Sequence, residues 1–174
     1  MIRRLARRNP RLSETSPAVE TIPPALQPAV LTLNNAHAAE LTWLEADRLS
    51  HLLARAFFVR RVGAVEAFII GFDETADYDS PNFLWFQARY PRFAYVDRIA
   101  VDAAARGRGH ARRLYEAFFD HARAAGHAVV ACEVNSDPPN PGSDAFHAAL
   151  GFREVGQASV YGGTRAVRYY ARAL

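Results

Sequence analysis

The chain has no lysine: all 21 of its basic side chains are arginine. It has one cysteine, Cys132, which excludes a disulfide scaffold and fits a reducing cytoplasm. No uninterrupted apolar run approaches the ~18 residues of a transmembrane helix, so no membrane partner is expected. Internal repeats are lacking too. The opening MIRRLARRNPRL has neither the apolar stretch nor the small-residue cleavage site of a secretory signal. What is present, 50% hydrophobic and 22% charged residues over 174 positions, suits one globular domain and excludes bulk disorder.

The formal charge of +3 is unevenly placed. Five of the 21 arginines (Arg3, Arg4, Arg7, Arg8 and Arg11) stand in the first eleven positions, which hold no acid. The rest carries 16 arginines against 18 acids, a balance of −2, so the body has no basic surplus for nucleic acid. Residues 1–16 read as a disordered basic tail and 17–174 as the domain.

Residues 18–22 read as a short strand, and Pro23–Pro24 open a helix with Leu26, Val30 and Leu33 on its apolar face. Thr42 and Glu45 form a capping box before a second helix bearing Leu49, Leu52 and Leu53. Runs 57–62 and 64–72 are β-rich and break at Gly63, as in a hairpin. An irregular stretch, 73–92, begins acidic (Asp73, Glu74, Asp77, Asp79). Ser80 and Pro81 then start a short helix carrying Phe83, Trp85 and Phe86. A strand over 93–101 places Tyr95, Asp97, Ile99 and Val101 on one face. Ala111, Leu114, Tyr115, Phe118 and Ala122 have helical spacing, with a stop at Gly126. A buried strand over 128–134, a short helix over 144–150, and two β-rich runs flanking Gly162–Gly163 complete the order β-α-α-β-β-β-α-β-α-β-β.

The segment VDAAARGRGHARR, residues 101–113, lies between a strand and a long helix. Gly107 and Gly109 let the backbone turn tightly, the helix that follows presents free N–H groups, and Arg106, Arg108 and Arg112 surround that terminus. Together they suit a pyrophosphate. A Walker A loop is excluded because it needs lysine, and a dinucleotide fingerprint because Arg112 stands where its third glycine belongs.

Arg106-x-x-Gly109-x-Ala111, following Ile99-Ala100-Val101, resembles the Arg/Gln-x-x-Gly-x-Gly/Ala motif of the GNAT acetyltransferase superfamily. Downstream, Asn135 and a helix ending Phe146-His147-Ala148-Ala149-Leu150-Gly151-Phe152 resemble its second signature, and the element order from residue 18 to 174 is similar. The resemblance implies a mixed α/β (α+β) fold. Its mostly antiparallel central sheet has helices on both faces and two parallel strands, here 93–101 and 128–134, that splay apart at the cofactor site.

Acetyl-CoA is then the implied cosubstrate, with no metal. The backbone of Ile99, Ala100 and Val101 would pair with its pantetheine arm. The N–H groups of Gly107, Arg108, Gly109, His110 and Ala111 would hold the pyrophosphate, aided by the side chains of Arg106, Arg108 or Arg112. Asn135 and Ser143 are further polar contacts, or else a strand-end cap and a helix N-cap.

Family chemistry is direct attack of a neutral amine on the thioester, so Cys132 has no nucleophilic task and reads as a small buried thiol. Asp97 and Tyr95 occupy the strand positions from which some members accept the amine proton; Asp97 could instead form a structural pair with Arg98 or another arginine. Many members place an acidic tyrosine five residues before the final Phe of Leu-Gly-Phe. Here that residue is His147, which could donate a proton or simply pack, and Tyr161 is the fallback acid. The acids of 73–79 and the aromatics Phe83, Trp85, Phe86 and Tyr90 either complete a site for a cationic acceptor or form a solvated loop beside core rings.

The expected activity is therefore cytoplasmic N-acetylation of a small primary amine. Acetylation of a protein N-terminus or lysine is the alternative, and a non-catalytic CoA-binding module a further one. Partners are acetyl-CoA and the amine, without membrane or nucleic acid; a homodimer is admissible.

Overall fold

Seven strands run side by side in the order β1-β2-β3-β4-β5-β7-β6 in the computed structural model, which describes residues 17–174. The arginine-rich tail, 1–16, lies outside the described residues. The strands are β1 (Val19–Glu20), β2 (Phe58–Val62), β3 (Ala67–Asp73), β4 (Ala94–Val101), β5 (Val129–Asp137), β6 (Arg153–Val160) and β7 (Arg165–Ala173). Six α-helices accompany them: α1 (Gln27–Ala36), α2 (Ala38–Leu41), α3 (Ala46–Arg55), α4 (Pro81–Gln87), α5 (His110–Ala124) and α6 (Pro141–Ala149). Every strand pairing is antiparallel except β4 with β5. This is the mixed, mostly antiparallel sheet with helices on both faces that the sequence implied. No helix among the described residues is long and apolar enough to cross a membrane.

Period-2 alternation sends the two faces of the sheet into two cores. On one side Phe68, Ile70, Phe72 and Tyr169 pack against Val30 of α1, Leu49 and Leu52 of α3, and Phe83 and Phe86 of α4. On the other, Val62, Ile69, Val130 and Cys132 pack against Leu114, Tyr115, Phe118 and Ala122, the inward stripe of α5. β3 is buried on both faces and therefore reads as a continuous apolar run. A parallel pair needs a crossover connection, and α5 supplies it between β4 and β5.

Two local expectations are corrected. The strand alternation predicted for 93–101 breaks at a β-bulge: Ile70 pairs with Arg98 but Gly71 pairs with Val96, leaving Asp97 without a partner. One extra residue reverses the phase, so Tyr95 and Ala100 share the α1/α3/α4 core while Ile99 and Val101 pack on the α5 side. The capping box at Thr42 does not form either. Helix α3 starts at Ala46 behind an extended Glu45, and no side chain among the described residues caps it. Arg98, 7% exposed, explains the difference. Its guanidinium donates to Asn34 Oδ1 (2.9 Å), to the carbonyls of Leu41 (2.5 Å) and Thr42 (3.4 Å), and to Thr42 Oγ1 (3.3 Å). A buried charge must collect acceptors, and these pull the α2–α3 loop onto β4.

Candidate active site

β4 and β5 pair only at Ala94–Val130 and Tyr95–Ala131, then part. The gap is a cleft of about 790 Å³, walled by Val96 to Val101 on one side and Cys132 to Asn135 on the other. Diverging strands leave backbone N–H and C=O groups along both edges, which is what an extended amide-bearing arm such as pantetheine would pair with. His37 Nε2, 3.1 Å from the carbonyl of Val101, donates to the end of the β4 edge.

At one end stands the glycine loop. Gly107 and Gly109 have φ of +77° and +78°, a left-handed conformation that side-chain-bearing residues rarely hold, and a Cβ at either would meet only open space. Gly109 is the N-cap of α5, whose first helical bond runs from Arg113 N to Gly109 O. The N–H groups of His110, Ala111 and Arg112 therefore have no helical partner, and all three residues line the cleft with Arg106, Gly107 and Gly109. A helix N-terminus carries roughly half a positive charge, so these groups fit an anionic phosphate.

Two of the predicted cofactor residues point their side chains elsewhere. His110 is buried and its Nε2 donates to Glu66 Oε2 at 2.9 Å; Arg108 Nη1 lies 3.7 Å from the same oxygen. They anchor the loop to the β2–β3 turn, leaving His110 its backbone N–H for a ligand. Asn135 also has a structural partner: its Nδ2 donates to Glu40 O at 3.2 Å, beside Arg165, which donates to Glu40 O (3.2 Å) and Ala39 O (2.9 Å). Helix α2 is thus tied across the opening to β5 and β7. Ser143 is not a helix N-cap; Asn140 holds that position and its Oδ1 accepts from Ser143 N.

Further in, two carboxyls face the cleft. Glu133 Oε2 accepts from Tyr95 Oη at 2.5 Å and Oε1 from Asn82 Nδ2 at 3.0 Å. Burial, with Asp97 nearby, pushes the Glu133 carboxyl up to about 7. Asp97 Oδ1 accepts from Tyr78 Oη at 2.7 Å, and Oδ2 lies 3.2 Å from Arg98 Nε. Burial outweighs that arginine and raises Asp97 too. Tyr95 is fully buried and stands behind Glu133, outside the cleft wall. Tyr161, half-exposed, lines the cleft, and its phenol is raised by burial and by Glu133.

Glu133 went unread in the sequence, although its signal was there: a single carboxylate inside the otherwise apolar run 128–134. Of the two readings of Phe83, Trp85, Phe86 and Tyr90, the structure bears out the second, rings of the core. Phe83 and Phe86 are fully buried, and Trp85 stacks on Tyr169 at 4.2 Å. Helix α4 offers the cleft Asn82, with Ser80 and Tyr78 ahead of it.

At the α6 wall, His147 is 3% exposed with both ring nitrogens engaged. Nδ1 lies 2.8 Å from Ser143 O and Nε2 2.7 Å from Tyr115 Oη. Burial lowers its pKa, keeping the ring neutral. Cys132, free and buried beside this pair, has its thiol pushed well up by burial, which suits an inert side chain. A separate group, Asp73, Glu74 and His127, brings potential ligand atoms within 4.8 Å of one another. Arg92, 3.7 Å from Glu74, already supplies a cation there, so the group is an ion-pair cluster.

The chain belongs to the acetyltransferase (GNAT) family, whose sequence model matches residues 32–152. Over 67 residues it is 34% identical to L-2,4-diaminobutyric acid acetyltransferase of Wolinella succinogenes, a stretch covering 38% of this chain and 39% of that relative. The fold is similar to Ard1 from Thermoplasma volcanium, with TM-score 0.73 and 19% identity over 92% of this chain and 99% of that one. It is also similar to the ribosomal-protein-S18-alanine N-acetyltransferase from Escherichia coli, with TM-score 0.65 and 17% identity over 90% and 92% of the two chains.

Proposed function

We propose that the chain transfers the acetyl group of acetyl-CoA to the primary amine of a small cationic molecule, by direct attack on the thioester. The observation that carries this reading is Glu133, a carboxyl in the cleft held to about 7 by burial. A base tuned near the working pH is what proton removal from an attacking amine requires. As the N–C bond forms, the amine nitrogen becomes acidic, and Glu133 takes its proton directly or through one water. Asp97 adds a second acid to the same floor, and two acids against the one Arg98 that pairs with Asp97 favour an acceptor carrying a further positive charge. The amine-bearing amino acid in the name of the Wolinella relative is a molecule of that class.

Three features of the cleft support acetyl-CoA as the donor. The splayed edges of β4 and β5 take the pantetheine, the N–H groups from Gly107 to Ala111 take the pyrophosphate, and Arg106 and Arg112 add charge at the mouth. Asn135 and Ser143, which also line the cleft, are further polar contacts in this reading. The buried, free Cys132 supports a reducing cytoplasm as the compartment.

A peptide α-amine is the second reading. It is favoured by Trp43, 64% exposed and next to Thr42 of the cleft wall, where an indole could hold a side chain of the peptide. A panel of diamines, basic amino acids and short peptides, incubated with acetyl-CoA while free thiol is followed, separates the two. The first reading expects thiol release with the diamines or basic amino acids. Release with peptides alone would replace it by the second, and none with any amine would leave a CoA-binding module.

A further inference from the structure

We propose that the hydroxyl of Tyr115 donates a hydrogen bond to the departing CoA sulfur, and that His147 is the positioning residue that holds this hydroxyl at the cleft wall. The inference rests on the acetyl-transfer reading and assigns one more residue to it.

The protons of His147 are accounted for. His147 Nδ1 faces two oxygens of Ser143, the hydroxyl at 3.2 Å and the carbonyl at 2.8 Å; the carbonyl only accepts and is the shorter contact, so Nδ1 carries the hydrogen. Burial disfavours the charged ring, so Nε2 is left with a lone pair and nothing to donate. At 2.7 Å it accepts the O–H of Tyr115. The imidazole at the family's tyrosine position therefore has no proton for sulfur, while the phenol touching it does.

Tyr115 is also out of place as a core residue. It lies on the inward stripe of α5 among Leu114, Phe118 and Ala122, where a phenyl ring would pack without a hydroxyl to satisfy. Tyr115 is fully buried, yet it is among the residues that line the cleft, with Cys132 and Val134 of β5. Rotation about one C–O bond turns the proton from His147 Nε2 toward the cleft.

In the reaction the N–C bond forms, the C–S bond breaks and its electron pair stays on sulfur. The amine proton goes to Glu133 and then to water. Burial holds the Tyr115 phenol well above its ordinary range, whereas a thiol ionises near ~8.5. Tyr115 therefore keeps its proton and stabilises the thiolate by a charge-assisted hydrogen bond. The thiolate takes a proton from water on release.

Binding of CoA and of desulfo-CoA, which lacks the sulfur, tests this apart from turnover. At pH 9 wild type should prefer CoA, and Tyr115→Phe should lose that preference by about 10-fold or more, the scale of a hydrogen bond to a charged group. Turnover should fall about 10²-fold with the acetyl-CoA affinity kept. His147→Gln, which retains an acceptor for the phenol, should keep most of the preference, and His147→Phe should lose it. Nitrogen-15 spectra of wild type should show Nδ1 protonated and Nε2 as acceptor. An unchanged CoA preference in Tyr115→Phe, or a proton on Nε2, overturns the assignment alone. Wild type that binds neither ligand overturns the acetyl-transfer reading with it.

Discussion

Glu133 accepts the hydroxyl of Tyr95 from the neighbouring strand at 2.5 Å, just past the last residue pair before β4 and β5 separate. The contact pins the carboxyl at the apex of the cleft. It also leaves Glu133 with two neutral donors, Tyr95 and Asn82, and no cation bonded to it among the described residues. That is why burial dominates and its pKa rises.

If Glu133 is the base, activity rises with pH through about 7 as the carboxyl loses its proton. Glu133→Gln should lower kcat by about 10²-fold or more and remove that limb, with acetyl-CoA affinity unchanged. A pH profile of kcat measures this; a variant with the wild-type limb would assign the base elsewhere.

The same shift has a stability consequence of opposite sense. The folded pKa of about 7 lies above the ordinary value of 4.5, so between these pH values the folded state holds more protons than the unfolded one. Stability from this group is complete below about 4.5 and falls as pH rises through 7. Wild type should thus lose melting temperature between pH 5.5 and 8, and Glu133→Gln should lose less over that window. Parallel melting curves for the two would contradict it.

Gly109→Val forces a β-branched residue into a φ of +78° at the mouth of the cleft. The strain costs about 1–3 kcal/mol, and the displaced loop should no longer hold the pyrophosphate. Acetyl-CoA at 100 times its Kd stabilises a protein by about 2.7 kcal/mol. That rise in melting temperature should appear in wild type and vanish in the variant. Equal stabilisation of both would sink the cradle.

Arg98→Met removes the cation from a site where Asp97 and four acceptors surround it. Breaking a buried pair on one side costs about 3–5 kcal/mol. Urea denaturation should show a loss of that order. A change below about 1 kcal/mol would mean the guanidinium is solvated in the folded protein.

Deleting residues 2–16 should leave acetyl-CoA binding and melting temperature nearly unchanged, because that segment has no periodic apolar pattern to tie it to a core. Calorimetry on the shortened chain checks this, and a large loss of either would show that the tail packs.

Much of the protein was settled along the chain itself. Apolar spacing located α1, α3 and α5, a continuous apolar run located β5, and Gly107 and Gly109 located the turn into α5, because each is a local backbone preference written within a few residues. The chemistry at the cleft was not local. The bulge at Asp97 exists because β4 pairs with β3 two residues to one, which β4 alone does not reveal. Glu133 meets Tyr95 across 38 positions and Asn82 across 51, and Tyr115 meets His147 across 32. Those contacts depend on where the parallel pair splays and on how α5 and α6 pack against it. Burial then sets the proton affinities, and burial belongs to the assembled core.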